Sequence, residues 1–265
     1  MKALALLCLV AACSNDHTGV HFIDAPPADA PADVAIDAAA MAHFGRIEVS
    51  QGTSAGSADS GVSVGFSTDE WGPMVGTDGP CKVIGTTGSE PSFSAGTVTF
   101  TGTAATITAS PTGTAPTVHY SATAAVPKPA FTAGDTITVT GAGGPNVQGF
   151  SASVTAPAAI AGYTLPTSLS RAGYTATWTA GAGPTMWVIV AGFDAAGHGG
   201  IAICVVTDNG SFTVPATTFA MFPAGANMAF AGLGRVAPTT TTVGGVAITV
   251  QATSYVTSGQ IALGN

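Results

Sequence analysis

Short runs in which threonine or serine alternates with an apolar residue set the tightest limit on what this chain can fold into. Residues 97–101 (Thr-Val-Thr-Phe-Thr), 106–108 (Thr-Ile-Thr), 136–140 (Thr-Ile-Thr-Val-Thr), 151–155 (Ser-Ala-Ser-Val-Thr) and 175–179 (Thr-Ala-Thr-Trp-Thr) all keep a period of two. Successive side chains of a strand point to opposite faces, so each run presents one apolar and one hydroxylated face. Residues 188–190 and 201–206 are apolar throughout, as expected of strands covered on both faces. The 35 glycines and 17 prolines interrupt these runs, and turn signals every 8–12 residues or so suit a sandwich. Residues 208–210 (Asp-Asn-Gly) read as a hairpin turn joining 201–207 to 211–214, because Asn-Gly tolerates the positive φ of a type I′ turn. The best helix candidate is short, residues 216–222. The sequence therefore predicts an all-β chain, an antiparallel β-sandwich of jelly-roll or immunoglobulin-like type.

The N-terminal forty residues are of another kind. Lys2 precedes an apolar run over residues 3–10, far short of the roughly 20 that a membrane-spanning helix needs. A basic residue followed by a short apolar run reads as a signal peptide over residues 1–12. The run ends Leu9-Val10-Ala11-Ala12-Cys13, which resembles the lipobox of bacterial lipoproteins. That resemblance implies cleavage before Cys13, alkylation of its thiol by diacylglycerol and acylation of the new amino group. More than one acyl chain meets the two-signal requirement for stable anchoring. Ser14, where an aspartate would favour the inner membrane, points to the outer membrane, at its periplasmic face or at the cell surface. Ordinary secretion after the same small residues is the alternative.

Residues 13–43 turn to Ala, Pro and Asp and lack the apolar surface to offset ordering entropy. They read as an extended tether, at about 3.1 Å per residue where proline-rich. Its acids (Asp16, Asp24, Asp29, Asp33 and Asp37) are irregularly spaced, and no glycine is placed for the sharp turn of a calcium loop.

Residues 44–265 suffice for one large β-domain or for two sandwiches of about 100 residues each, with 156–166 as the candidate junction. With Cys8 removed and Cys13 lipidated, Cys81 and Cys204 remain, and an exported chain is expected to pair them. A buried thiol at Cys204 and an exposed one at Cys81 are the other reading. A bridge would tie the first half to the second and favours one interleaved domain.

Motifs for chemistry are sparse. Residues 52–56 match G-x-S-x-G, but a nucleophile elbow needs a strand before the serine and a helix after it, and residues 57–61 read as loop. Asp59-Ser60-Gly61 echoes a serine-protease nucleophile loop with no histidine in that context. His119 sits in an alternating segment as a strand-surface residue. Asp194 and His198 share a glycine-rich loop in which a carboxylate can orient an imidazole; a polar hairpin is the simpler reading. No metal, nucleotide or cofactor motif appears. Five basic residues (Arg46, Lys82, Lys128, Arg171, Arg235) against nine acids argue against nucleic acid as a partner. Trp71, Trp178 and Trp187, with Tyr163 and Tyr174, are candidates to stack on sugar rings. Trp178 falls in the apolar phase of its strand and reads as core. Trp71, in a loop beside Asp69 and Glu70, is the best exposed ligand-binding candidate.

Residues 131–139 (Phe-Thr-Ala-Gly-Asp-Thr-Ile-Thr-Val) and 208–215 (Asp-Asn-Gly-Ser-Phe-Thr-Val-Pro) resemble uncharacterised surface lipoproteins of myxobacteria. The resemblance covers most of the chain and implies no activity. The expectation is a non-enzymatic envelope lipoprotein, structural or adhesive, held to the membrane by its lipid and facing a surface glycan or another envelope protein. A carbohydrate- or ligand-binding module is the alternative, and a hydrolase a more distant one.

Overall fold

The computed structural model describes residues 42–70, 72–86, 91–181, 183 and 185–264; the signal segment, Cys13, residues 14–41 of the tether and Trp71 lie outside the described residues. The elements begin with β1 (Phe44–Ser54), β2 (Ser57–Ser67), β3 (Met74–Asp78), β4 (Cys81–Gly85), β5 (Val98–Thr101) and β6 (Ile107–Thr112). Then come β7 (His119–Ala122), β8 (Thr136–Gly141), β9 (Phe150–Thr155), β10 (Ser168–Ser170), β11 (Gly173–Thr177) and β12 (Thr185–Phe193). The last are β13 (Gly199–Val206), β14 (Ser211–Pro215), α1 (Ala216–Phe219), β15 (Met228–Val243), β16 (Val246–Thr257) and β17 (Ile261–Gly264).

The chain is an all-β sandwich, as the alternation predicts. Its main sheet has ten strands: β2-β1-β16-β15-β12-β13-β4-β3 in order, with β17 joining β15 and carrying β10. A five-stranded sheet, β7-β6-β5-β8-β9, and a β11-β14 ribbon cover one face of it. Pairing is antiparallel except for β1 with β16 and β10 with β17.

The long strand β15 serves both ends of the sheet. Its residues up to Val236 pair with β12, and from Gly232 onward it pairs with β16. The β15–β16 turn is Gly244-Gly245, with φ of +57° and +84°, which suits a two-residue hairpin of the type that glycine makes without steric cost. Odd-numbered residues of β15 share a face. Ala229, Ala231 and Leu233 enter a core with Val188 and Val190, closed over by Leu169, Ala176, Val214 and Phe219. Further along, Ala237 and Val243 pack against a second core, where Ile47, Val49, Ile248 and Val250 meet Phe100, Ile137, Val139 and Phe150 of the five-stranded sheet.

Arg235 lies on that same face, between Leu233 and Ala237, where the two cores meet. Its Nε donates to Asp208 Oδ2 at 2.7 Å, and its terminal nitrogens donate to the carbonyls of Ala159 (2.8 Å) and Thr179 (3.0 Å). Trp178 Nε1 donates to the other Asp208 oxygen at 2.7 Å, so the carboxylate is held from two sides. The pair is buried, the side chains 5% and 0% exposed. Burial alone would raise the Asp208 carboxyl, but hydrogen bonds from Arg235 and Trp178 outweigh it and hold the group below the ordinary range. The 156–166 segment runs beside this site: Ala156 belongs to one core, Ile160 to the other, and Ser254 Oγ donates to the Pro157 carbonyl.

The expected 208–210 hairpin does not form. β14 leaves the large sheet and pairs with β11, and of the three turn residues only Gly210 has a positive φ. The physical reason is Asp208, whose carboxylate is drawn inward by Arg235 and Trp178, so the turn carries the chain from one layer to the next. The short helix falls within the expected 216–222 segment, and Arg171 fixes that region by donating to the carbonyls of Phe219, Pro223 and Ala226. Cys81 and Cys204 are disulfide-bonded, directly opposite each other in the β4–β13 register and 123 residues apart in sequence.

Two stability measurements follow from these contacts. Cross-linking so long a loop is worth up to about 4–5 kcal/mol on the chain-entropy estimate, so replacing both cysteines by alanine should lower the melting temperature by about 5–15 °C. Arg235→Ala strands the buried Asp208 carboxylate and should cost about 3–5 kcal/mol in denaturant unfolding. Because the Asp208 carboxyl is depressed in the folded state, its contribution is present above the ordinary aspartate value near about 3.9 and is lost as pH falls through the lower folded value. Arg235→Ala should flatten that acid limb.

Candidate functional site

Alternation fixes which side chains meet on the other face of the large sheet. In β1 the run Arg46-Ile47-Glu48-Val49-Ser50 sends Ile47 and Val49 to the core and the polar residues the opposite way. β16 does the same with Thr249, Gln251, Thr253 and Tyr255 between Ile248, Val250 and Ala252. Parallel register then sets Glu48 beside Gln251, Ser50 beside Thr253 and Gly52 beside Tyr255. Toward β12 and β13 the same face turns apolar, with Trp187, Ile189, Ile201, Ile203 and Val236 clustered. Residues 188–190 and 201–204 are therefore buried, as their apolar runs predict, but the end of the 201–206 run is not covered on both faces: Val205 is 38% exposed and Val206 half-buried.

Sheets coil, and this one coils far enough for Arg46 on β1 to reach β12 across two intervening strands. The Arg46 guanidinium carbon lies 4.9 Å from the centroid of Trp187, within cation–π range. A cleft of about 360 Å³ opens here. Phe44, Arg46 and Glu70 flank it on the β1 side and Trp187 and Val205 on the β12–β13 side, with Thr240, Thr249 and Gln251 between them. Burial lowers the Arg46 pKa, while the negative charges of Glu48 and Glu70 push it back up.

The polar stripe beneath is closed off from water. Glu48, Gln251 and Thr253 are buried, and Gln251 Nε2 and Thr253 Oγ1 have no hydrogen-bond partner among the described residues. A buried amide without a partner costs free energy that the fold must recover elsewhere. Tyr255 lies alongside Gly52, where a Cβ would stand 1.8 Å from the Tyr255 carbonyl oxygen and 3.0 Å from the ring. Glycine is thus required at the first position of the G-x-S-x-G match for a packing reason. Burial first, and then the charges of Asp59 and Glu48, raise the Tyr255 hydroxyl above its ordinary range.

The other sequence candidates are not assembled into this site. Residues 52–56 end β1 in a hairpin, with φ of +50° at Ala55 and +80° at Gly56, and buried Ser54 accepts a hydrogen bond from the Thr257 hydroxyl at 3.1 Å. Residues 57–61, read as loop, instead open strand β2. Ser60 donates to the Pro127 carbonyl at 2.7 Å, and Asp59 pairs with Lys128 at 3.1 Å. Asp194 and His198 do approach to 3.2 Å, in the exposed β12–β13 hairpin. There the carboxylate also accepts the N–H groups of Ala196 and His198, a turn-stabilising role. His119 is exposed on β7.

Of the aromatic candidates, Trp178 is core as expected, and Tyr163 and Tyr174 pack against that same core. Trp187 alone of the described ones lines the cleft, while Trp71 follows the lining residue Glu70 in sequence. Among the described residues no group of three or more His, Cys, Asp or Glu side chains is placed to hold a metal ion, and no helix is long and apolar enough to cross a membrane.

Compared with protein-family models, curated proteins and solved structures, the chain finds no match.

The unpartnered amide gives a direct test. Gln251→Met keeps the volume and removes the buried polar group, so it should stabilise the unliganded protein by about 1–3 kcal/mol. Chemical denaturation measures this, and a loss of stability would show that the amide is satisfied in the free protein.

Proposed function

We propose that this chain is a cell-envelope lipoprotein whose β-domain is a binding module, presenting the Arg46–Trp187 cleft to a small ligand, and not an enzyme. The observation that carries the binding role is the buried Gln251 Nε2, without a partner among the described residues, in the wall of a cleft of about 360 Å³. Small-molecule sites are concave, partly apolar, and carry a few convergent polar groups, and this cleft has that composition. The non-enzymatic reading is supported by the position of Asp194 and His198, which lie in an exposed hairpin and do not line the cleft.

The envelope half of the proposal rests on the Val10-Ala11-Ala12-Cys13 lipobox and the Ala/Pro/Asp tether. The Cys81–Cys204 disulfide is compatible with export, since disulfides persist in oxidising compartments. Lipidation at Cys13 would hold the domain at the outer membrane, and the tether would set it away from the headgroups, where a surface glycan or envelope polymer is within reach.

Two measurements test the two halves separately. Palmitate labelling of the full chain, with membrane fractionation, should show incorporation that disappears in Cys13→Ser; persistent labelling would refute the lipobox assignment. Intact protein in detergent should be retained on envelope polysaccharide, and Thr240→Trp, which fills the cleft from an exposed position, should abolish retention. Retention unchanged in that variant would refute the cleft as the binding site.

A further inference from the structure

We infer that the cleft is built for a neutral, polyhydroxylated ligand of sugar size, an inference that rests on the binding-module reading above. The argument begins with charge. Among the described residues Arg46 is the one cationic side chain lining the cleft, its guanidinium lies over Trp187, and it shares its surroundings with Glu48 and Glu70. An incoming phosphate or carboxylate would meet the Glu70 carboxylate in the lining, with Glu48 buried beneath next to the one guanidinium, and an ammonium group would meet the guanidinium itself. A neutral ligand incurs neither penalty.

Hydrogen-bonding capacity points the same way. Thr185, Thr240 and Thr249 supply hydroxyls that both donate and accept, the pattern that matches alcohols, and Ser67, whose hydroxyl already donates to the Asp69 carbonyl, can still accept. The Thr240 and Thr249 hydroxyls already lie 3.2 Å apart, which uses one donor and leaves further capacity on both. Gln251 adds a lining amide whose buried Nε2 has no hydrogen-bond partner among the described residues, a donor that a ligand hydroxyl oxygen would satisfy. Glu70 accepts and Arg46 donates at the rim. A wholly apolar ligand would leave these groups unpaired and is selected against for that reason.

Apolar lining completes the match. Arg46 already covers one face of Trp187, so the C–H surface of a sugar would pack on Phe44, Val205 and Pro238, which lie along the same cleft. Val205 is 38% exposed in the unliganded protein, the kind of apolar surface that a bound ring would cover. The volume falls in the range of small-ligand pockets, about 300–1,000 Å³.

The test is calorimetric titration of the full chain in detergent with cellobiose, lactose, maltose and N,N′-diacetylchitobiose, alongside glucuronate, glucosamine and inorganic phosphate. The expected result is binding of at least one neutral disaccharide, weakened about tenfold or more by Gln251→Met and abolished by Thr240→Trp. Gln251→Met should do this while remaining folded and at least as heat-stable as the parent, which separates lost recognition from lost structure. Binding of a charged probe alone, sensitive to Thr240→Trp, overturns the neutral-ligand inference and leaves the cleft as a binding site. Sugar binding that neither variant weakens overturns the placement of the site. No binding by any probe overturns the inference, and if polysaccharide retention by the parent is also indifferent to Thr240→Trp, the binding-module reading falls with it.

Discussion

The Arg235–Asp208 pair is the contact on which this architecture turns. β15 has to pass from one core to the other on a single face, and at the crossing it carries a charge where its neighbours carry Leu233 and Ala237. A guanidinium offers five donors in a fixed fork, so one side chain reaches the turn at Asp208, the segment at Ala159 and the strand end at Thr179 together. Those three places belong to different stretches of chain, and no apolar side chain could order their carbonyl and carboxylate groups at once. Replacing a buried ion pair with apolar residues is often neutral for stability, so the pair is better understood as fixing which segments meet than as a store of stability.

Much of the scaffold was legible in the sequence because it rests on a local rule. Residues 98–101, 107–108, 136–140 and 151–155 alternate, and each lies in a strand whose apolar side faces the five-stranded sheet's core. Cys81 and Cys204 were legible by elimination. The misreadings came where a local signal met a distant partner. Asp208-Asn209-Gly210 has hairpin chemistry, but Arg235, 27 residues on, claims the aspartate. Residues 57–61 look like loop because Ser, Ala, Asp and Gly avoid strands, yet their five registered pairs with β1, within the eleven that β2 makes, hold them extended.

The cleft was harder to see, and for the same reason. Arg46-Ile-Glu-Val-Ser and Thr-Val-Gln251-Ala-Thr-Ser-Tyr each announce a strand with one polar face. What sequence does not disclose is that strands some 200 residues apart lie side by side in parallel, or that the sheet coils until Arg46 meets Trp187. A polar face on an isolated strand means solvent; two such faces in register, closed from water, mean buried amides and hydroxyls in search of partners. The available sign was Gln251 among the threonines of β16 and Glu48 between two core residues of β1, which are larger polar groups than a merely solubilised surface needs.

The entry point of the chain into the sheet has a mechanical meaning. Whatever pulls on the N-terminus pulls on β1, and β1 is flanked along its whole length by β16 on one side and β2 on the other. Its hydrogen bonds to both neighbours share a load directed along the strand, so they do not yield one at a time. Phe44, the first residue of that strand, is also at the rim of the cleft. On the proposed reading, tension between a lipid at Cys13 and a ligand in the cleft would enter the sheet through the first residues of β1, beside the cleft itself.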